Sequence, residues 1–112
     1  MNYRALAQHL SKTCRKRLDA FKSPADVSSS MISDGQFVVV VGEPIKNTDR
    51  ERHENTYSFG IFAVAMDKGT RRIRWHFYVI VSEHRDVLVE PSVGKPPDWV
   101  RACLRKSYDE AL

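Results

Sequence analysis

Two apolar runs joined by a short polar turn decide the fold of this 112-residue chain: YSFGIFAVAM at 57–66, DKG at 67–69 and TRRIRWHFYVIV at 70–81. Both runs are rich in the β-branched and aromatic side chains that favour strands. The glycine of the turn readily adopts the positive φ that hairpin loops require. This stretch therefore predicts a long antiparallel β-hairpin with a three-residue loop.

The length of the predicted loop sets the register of the hairpin. A three-residue loop places Met66 opposite Thr70, and the other pairs follow from that position. One face is apolar and pairs Ala63 with Ile73, Ile61 with Trp75, Phe59 with Phe77, and Tyr57 with Val79. The other face is mixed and pairs Val64 with Arg72, Phe62 with Arg74, Gly60 with His76, and Ser58 with Tyr78. A slip of one residue would mix the two faces, so the pattern favours this register.

Two further strands flank the hairpin in the sequence. The run FVVVV at 37–41 is short and β-branched, which is typical of a strand covered on both faces. The run VLVE at 87–90 predicts a fourth strand that ends at Pro91 and places Leu88 on the mixed face, near Ile80. Residues 44–56 are mostly polar and have no hydrophobic period, so we expect a flexible loop there.

The amino-terminal segment predicts an amphipathic helix. Apolar residues recur every three or four positions from Tyr3 to Phe21, and Asn2 is a suitable N-cap. The dipeptide Ser23-Pro24 ends the pattern and is itself a suitable start for a short helical turn.

The carboxyl-terminal segment predicts a second helix, with Pro97 at its first position. Its apolar stripe consists of Val100, Cys103, Leu104, Ser107, Tyr108 and Ala111. Both cysteines of the chain, Cys14 and Cys103, lie on the apolar stripes of these helices. We therefore expect reduced thiols packed in the core rather than a disulfide.

These elements predict an α+β fold. Two amphipathic helices have one apolar sheet face to cover, so a two-layer sandwich is the economical packing. The sheet is expected to be four-stranded, antiparallel and meander-like, with an N-terminal helix before it and a C-terminal helix after it. We expect one globular domain over residues 1–112, large enough to need neither a metal nor a disulfide for stability.

The charge of the chain is unevenly distributed. Lys and Arg number 18 against 14 Asp and Glu, a net charge of +4. An excess of five positive charges lies in residues 1–22 and an excess of three in residues 67–74. The longest apolar run, at 61–66, is far shorter than the roughly 20 residues that span a bilayer. With no apolar signal segment at the amino end, we expect a cytoplasmic protein without a membrane partner.

Motifs of catalysis and metal binding are absent from the sequence. It contains no glycine-rich phosphate loop, HExxH, CxxC or GxSxG, and its four histidines are scattered. The run RERHE at 50–54 places a histidine among charged residues, and we interpret it as part of a solvated loop. We expect no catalytic residue, metal ligand or cofactor, and we favour a non-enzymatic binding module. The alternative of an enzyme would require a pocket that gathers His53 or His84 with a carboxylate.

The mixed face of the hairpin is the candidate binding surface. Arginines and aromatic side chains are predicted to lie together on it. It also carries more apolar surface than is usual for a face exposed to water. We therefore expect a second copy of the chain or another protein to cover it, with the arginines at the rim. The residues predicted to form this surface are Phe62, Val64, Arg72, Arg74, His76, Tyr78, Ile80 and Leu88.

Nucleic acid is the alternative partner. On the predicted strand Arg72, Arg74, His76 and Tyr78 alternate on one side, which suits base stacking and phosphate neutralisation in RNA or DNA. A second basic surface is the polar side of the first helix. Its residues are Arg4, Lys12, Arg15 and Lys16.

The element order resembles that of double-stranded RNA-binding domains. In that family a loop histidine leads into the second strand, as His53 leads here to Tyr57, Phe59 and Ile61. The resemblance covers about fifteen residues and implies RNA binding. The family's lysine-rich helix start falls at PPDWVR, residues 96–101, which lacks the lysines that grip phosphate, and the strand at 87–90 has no counterpart. The sequence therefore assigns no family.

Overall fold

In the part of the chain that the structure describes, two helices and five antiparallel strands form an α+β structure. The computed structural model describes residues 2–18, 37–49, 54–67, 70–96 and 98–111. The elements are α1 Tyr3–Leu18, β1 Phe37–Val41, β2 Ile45–Asp49, β3 Glu54–Asp67, β4 Thr70–Ser82, β5 Val87–Val93 and α2 Asp98–Ala111. The strand order is β1-β3-β4-β5, and β2 also pairs with β3. The predicted fold class is confirmed, with one strand more than expected.

The additional strand, β2, lies in the segment that was predicted to be a loop. Ile45 pairs with Ser58 and Asp49 pairs with Glu54, so residues 45–49 line the same edge of β3 as β1 does. Asn47 Nδ2 donates a hydrogen bond to Ser58 Oγ at 2.8 Å. A polar strand at a sheet edge is held mainly by backbone hydrogen bonds, which leave no hydrophobic period in the sequence. The prediction of a loop across 44–56 is therefore wrong for β2 and for the start of β3.

The register of the central hairpin differs from the predicted one. Asp67 pairs with Thr70, which leaves two residues between the strands instead of three. Farther along, Ala63 pairs with Trp75 but Val64 pairs with Ile73, because a β-bulge inserts Arg74 between them. The predicted pairs are therefore wrong.

On the side of the bulge away from the turn, the side chains nevertheless lie on the faces that were predicted for them. Ile61 pairs with Phe77 where Trp75 was expected, a difference of two residues, and a shift of two returns each side chain to its original face. The face changes on the turn side of the bulge. Ile73, expected in the core, pairs with Val64 on the opposite face and is 52% exposed.

Strand β5 continues past the proline that was expected to end it. Pro91 pairs with Phe77 and Val93 pairs with His76, with a second register shift between these pairs. A proline is tolerated here because β5 is an edge strand, where the missing N–H need not bond to a neighbour. The strand therefore adds Val93 to the sheet.

The helices cover one face of the sheet. Asn2 caps α1 as predicted, since its Oδ1 accepts a hydrogen bond from the Ala5 N–H at 2.8 Å. Helix α1 lies against β1, β3 and β4, and α2 packs mainly against α1. Among the fully buried residues are Leu10, Ile61, Phe77 and Val100, one or more from each layer. The predicted Phe21 and the predicted helical turn at 23–26 lie outside the described residues.

A small polar cluster joins the two helices. Arg17 Nη1 donates to Ser107 Oγ at 2.8 Å, Ser107 Oγ donates to the Cys103 carbonyl at 2.9 Å, and Arg17 also forms an ion pair with Glu110. Both cysteines are free thiols. Hydrogen bonding with Cys103, together with burial, raises the pKa of Cys14, whereas the same hydrogen bond lowers the pKa of Cys103. The cluster satisfies polar groups within an otherwise apolar helix contact.

Candidate interaction surface

The face of the sheet opposite the helices, here called the outer face, is defined by the observed strand register. Paired residues share a face and neighbours along a strand alternate, so the pairing shows which side chains lie there. The central part of the outer face consists of four rows: Val64 and Ile73; Val40, Phe62, His76 and Val93; Gly60, Tyr78 and Glu90; and Ile45, Ser58, Ile80 and Leu88.

Exposed apolar side chains concentrate on this face. Of the described residues, the large hydrophobic side chains classed as exposed are Val40 37%, Ile45 66%, Ile73 52%, Tyr78 41%, Leu88 58% and Val93 44%. All six belong to the four rows of the outer face. Isolated exposed hydrophobic residues are ordinary on protein surfaces, but a contiguous group on one face indicates an interaction site.

An aromatic ridge crosses the middle of the outer face. The ring of His76 lies edge-on to Phe62, with 5.6 Å between the centroids, and 4.5 Å from the ring of Tyr78. Gly60 makes room for this arrangement, because a Cβ there would lie 2.8 Å from His76 Nε2. The absence of a side chain at Gly60 thus allows the imidazole to lie down against the sheet. Aromatic rings packed in this way form a rigid surface suited to the core of an interface.

The four central rows of the outer face carry very little charge. Within them Glu90 is the one charged side chain. Arg72 pairs with Ala65, and as the chain neighbour of Ile73 it belongs to the opposite face. Arg74 is half-buried and is the extra residue of the bulge. The expected alternation of Arg72, Arg74, His76 and Tyr78 on one side is therefore wrong, and the surface is more apolar than the sequence indicated.

The structure thus brings together six of the eight residues predicted for this surface: Phe62, Val64, His76, Tyr78, Ile80 and Leu88. Sequence reasoning missed four others, for separate reasons. Ile73 was hidden by the bulge, Ile45 by the absence of a strand pattern around it, and Val93 by Pro91. Val40 belonged to a predicted strand whose faces the sequence left unassigned.

The basic side of α1 is only partly available. Arg4, Lys12 and Lys16 are exposed. Arg15, in contrast, donates from Nη2 to the Val41 carbonyl at 3.1 Å and forms an ion pair with Glu43 at 2.9 Å. Its guanidinium ties the helix to the end of β1, so this arginine has a structural role in addition to any role on the surface.

The remaining candidates are the histidines, groups of metal-binding side chains and membrane-spanning helices. His84 is an exposed turn residue between β4 and β5, and residues 50–53 of the charged run RERHE lie outside the described residues. Within the described ranges no group of histidine, cysteine and acidic residues could hold a metal ion, and no helix is long and apolar enough to cross a membrane. No protein-family model, curated protein or solved structure matches this chain.

Proposed function

We propose that this chain is a protein-interaction module whose outer face binds a second copy of the same chain. The observation that carries the proposal is the concentration of all six exposed large hydrophobic side chains of the described residues on that one face. In an antiparallel sheet with one solvated side, residues along each strand alternate, so that the face left in water is normally polar. The outer face of this sheet is instead largely apolar.

The size of the outer face suits a homodimer. Its four strand positions, about 4.8 Å apart, and the seven residues from Ser58 to Val64, about 3.3 Å apart, give a projected area of about 440 Å². Two facing copies would bury about 900 Å² in projection and more in accessible surface. That value is close to the roughly 1,000 Å² that marks a specific interface.

The charge distribution also supports self-association. Each copy carries a net charge of +4, which opposes close approach of two copies. The exposed cations of α1, however, lie in the helix layer, on the other side of the sheet. Glu90 is the one charge within the four central rows of the outer face, so two copies that meet through these rows bring few like charges together.

Sedimentation velocity on the untagged full chain tests the proposal. We expect a concentration-dependent monomer–dimer equilibrium between micromolar and several hundred micromolar protein. Leu88→Glu places a charge on an exposed position of the outer face and should shift the protein to monomer. Gln8→Glu introduces the same charge at an exposed position of α1 and is the matched control. Ile45→Glu is a second outer-face variant that leaves the core untouched.

Two results would overturn the homodimer. One is a monomer at every concentration; the other is a dimer that both outer-face variants leave intact. Nucleic acid is a further readout of the same experiment. Binding to nucleic acid would appear as excess absorbance at 260 nm in the purified protein and as an affinity that falls steeply with salt. Dimerisation through apolar surface should instead be nearly insensitive to salt.

A further inference from the structure

A groove opens between α2 and the β4–β5 end of the sheet, away from the centre of the outer face. Its volume is about 750 Å³. It exists because α2 packs mainly against α1, which leaves Val87 and Val89 of β5 only half-buried on the helix side of the sheet. Leu104 of α2 forms the opposite apolar wall. A groove of this size with an apolar floor can accommodate a small organic molecule.

Three arginines line the groove. Arg101 and Arg105 are four residues apart and so share one side of α2, and Arg85 approaches from the β4–β5 turn. Asp86 is the one carboxylate in the lining, which leaves an excess of two positive charges. In the described part of the chain the ion pairs are Arg15–Glu43 and Arg17–Glu110, and neither involves these three arginines. Their guanidinium groups therefore lack carboxylate partners among the described residues.

A buried hydroxyl adds to the polar lining. Ser82 lines the groove, is 8% exposed, and its Oγ has no hydrogen-bond partner among the described residues. A buried hydroxyl left without a partner carries a cost in free energy, which a ligand oxygen at this position would relieve.

The backbone at Arg85 is also unusual. Its φ is +66°, and its N–H donates to the Ser82 carbonyl at 2.8 Å within the turn. This left-handed position favours glycine, and another L-residue there costs about 1 kcal/mol. An arginine held in such a conformation is consistent with selection for its side chain rather than for the turn.

We propose that this groove binds a small amphipathic anion, with a phosphate or carboxylate group held by Arg85, Arg101 and Arg105. Guanidinium groups match the two oxygens of such a group with paired hydrogen bonds. The apolar body of the ligand lies against Val87, Val89 and Leu104. The groove shares Leu88 with the outer face, but its three arginines lie outside the four rows of that face, so the proposal does not depend on dimer formation. Ile45→Glu, which lies outside the groove, is therefore the variant that tests the dimer alone.

Titration of the full chain, followed by amide NMR, tests the site. The probes are phenyl phosphate, inorganic phosphate and benzyl alcohol, which separate the anionic group from the apolar body. We expect saturable shifts centred on the β4–β5 turn and α2 with phenyl phosphate, at least about tenfold weaker binding of inorganic phosphate, and no saturable binding of benzyl alcohol. Equal affinity for the two phosphates would overturn the amphipathic site, as would the absence of saturable shifts at tens of millimolar phenyl phosphate.

Variants assign the binding to the arginines. Arg101→Gln and Arg105→Gln should each weaken phenyl phosphate binding about tenfold, as expected for loss of a hydrogen bond to a charged group. Arg4→Gln removes the same charge from an exposed position of α1 and is the matched control. A response to Arg4→Gln equal to that of the two groove variants would reduce the effect to net charge and contradict the proposal.

Arg85→Gly is the groove variant with the smallest expected cost to folding, because glycine suits a φ of +66°. We expect its melting temperature to equal or exceed that of the natural chain, while its affinity for phenyl phosphate falls about tenfold. Unchanged affinity would exclude Arg85 from the site. These readouts differ from sedimentation, so loss of the anion site and loss of the dimer are distinguishable.

Discussion

The two faces of the sheet are both apolar, yet only one is covered. On the inner face Ile61, Phe77 and Val79 are fully buried beneath the helices. On the outer face their chain neighbours Phe62 and Tyr78 retain exposed surface, although they are as hydrophobic as many core residues. The comparison teaches that hydrophobic patterning shows which faces avoid water, whereas the number of helices in one chain limits how many faces it can cover by itself.

The largest expected effect is on the free energy of unfolding, when adjacent residues on the two faces are each replaced by alanine. Phe77→Ala should lower the free energy of unfolding by about 3–5 kcal/mol, because it empties a fully buried site. Tyr78→Ala should lower it by about 1 kcal/mol or less in dilute solution, since that side chain is partly exposed. Urea denaturation measures both values.

Protein concentration sharpens this comparison. If a second copy covers the outer face, the stability lost in Tyr78→Ala should grow as the protein concentration rises, because the natural chain gains stability from association. The loss in Phe77→Ala should change much less. Equal losses for the two variants in dilute solution would contradict the distinction between a covered and an uncovered face.

The β-bulge leads to a prediction whose expected effect, on self-association, is of intermediate size. It places Ile73 on the outer face and its neighbour Arg72 on the other face. Ile73→Glu should therefore weaken self-association about tenfold or more, as expected for a charge buried in an apolar interface. Arg72→Glu, a larger change in charge one residue away, should weaken it much less. Sedimentation equilibrium gives both dissociation constants, and the opposite ranking would support the register predicted without a bulge.

The smallest expected effect concerns the helix layer that covers the inner face. The ion pair and hydrogen bond with Arg17 lower the pKa of the Glu110 carboxyl. A carboxyl whose pKa is lowered on folding stabilises the folded state above its unfolded value, about 4.3, and this contribution is lost as the pH falls through the folded value.

Glu110→Gln should accordingly be slightly less stable than the natural chain at pH 7, and the difference should shrink as the pH falls below about 4. Urea denaturation at a series of pH values measures it. Asp109→Gln alters a neighbouring exposed carboxylate on α2 and is the matched control. A difference that stays constant down to pH 3 would show that the ion pair contributes nothing.

Much of the architecture was predictable because its signals are local. The helical stripe beginning at Tyr3, the Asn2 cap and the alternation of the hairpin depend on residues close together along the chain. The structure confirms the stripe within α1, the cap, and the alternation from Tyr57 to Ala63 and from Trp75 to Val81. Strand β2 was not predictable in the same way. Its polar residues pair with β3 through backbone groups, and backbone groups are the same for every sequence.

The candidate surface was predictable only in outline. Alternation placed Phe62, Tyr78 and Ile80 together, but Arg72 was assigned to the wrong face because a bulge moves every residue on its turn side. The groove beside α2 had no signal in the sequence. Arg85 lies in the β4–β5 turn and Arg101 in α2, and they line one groove because of how α2 packs against α1.

The sequence by itself determined the two amphipathic helices near its ends, the central hairpin and the apolar character of the face that the helices cover, because periodicity and residue type act over short distances. The tertiary structure decided which apolar face is covered, on which face the bulge places Ile73 and Arg72, and that three arginines line one groove. These outcomes depend on register and helix packing, which are settled by contacts between distant segments rather than by any one segment's composition.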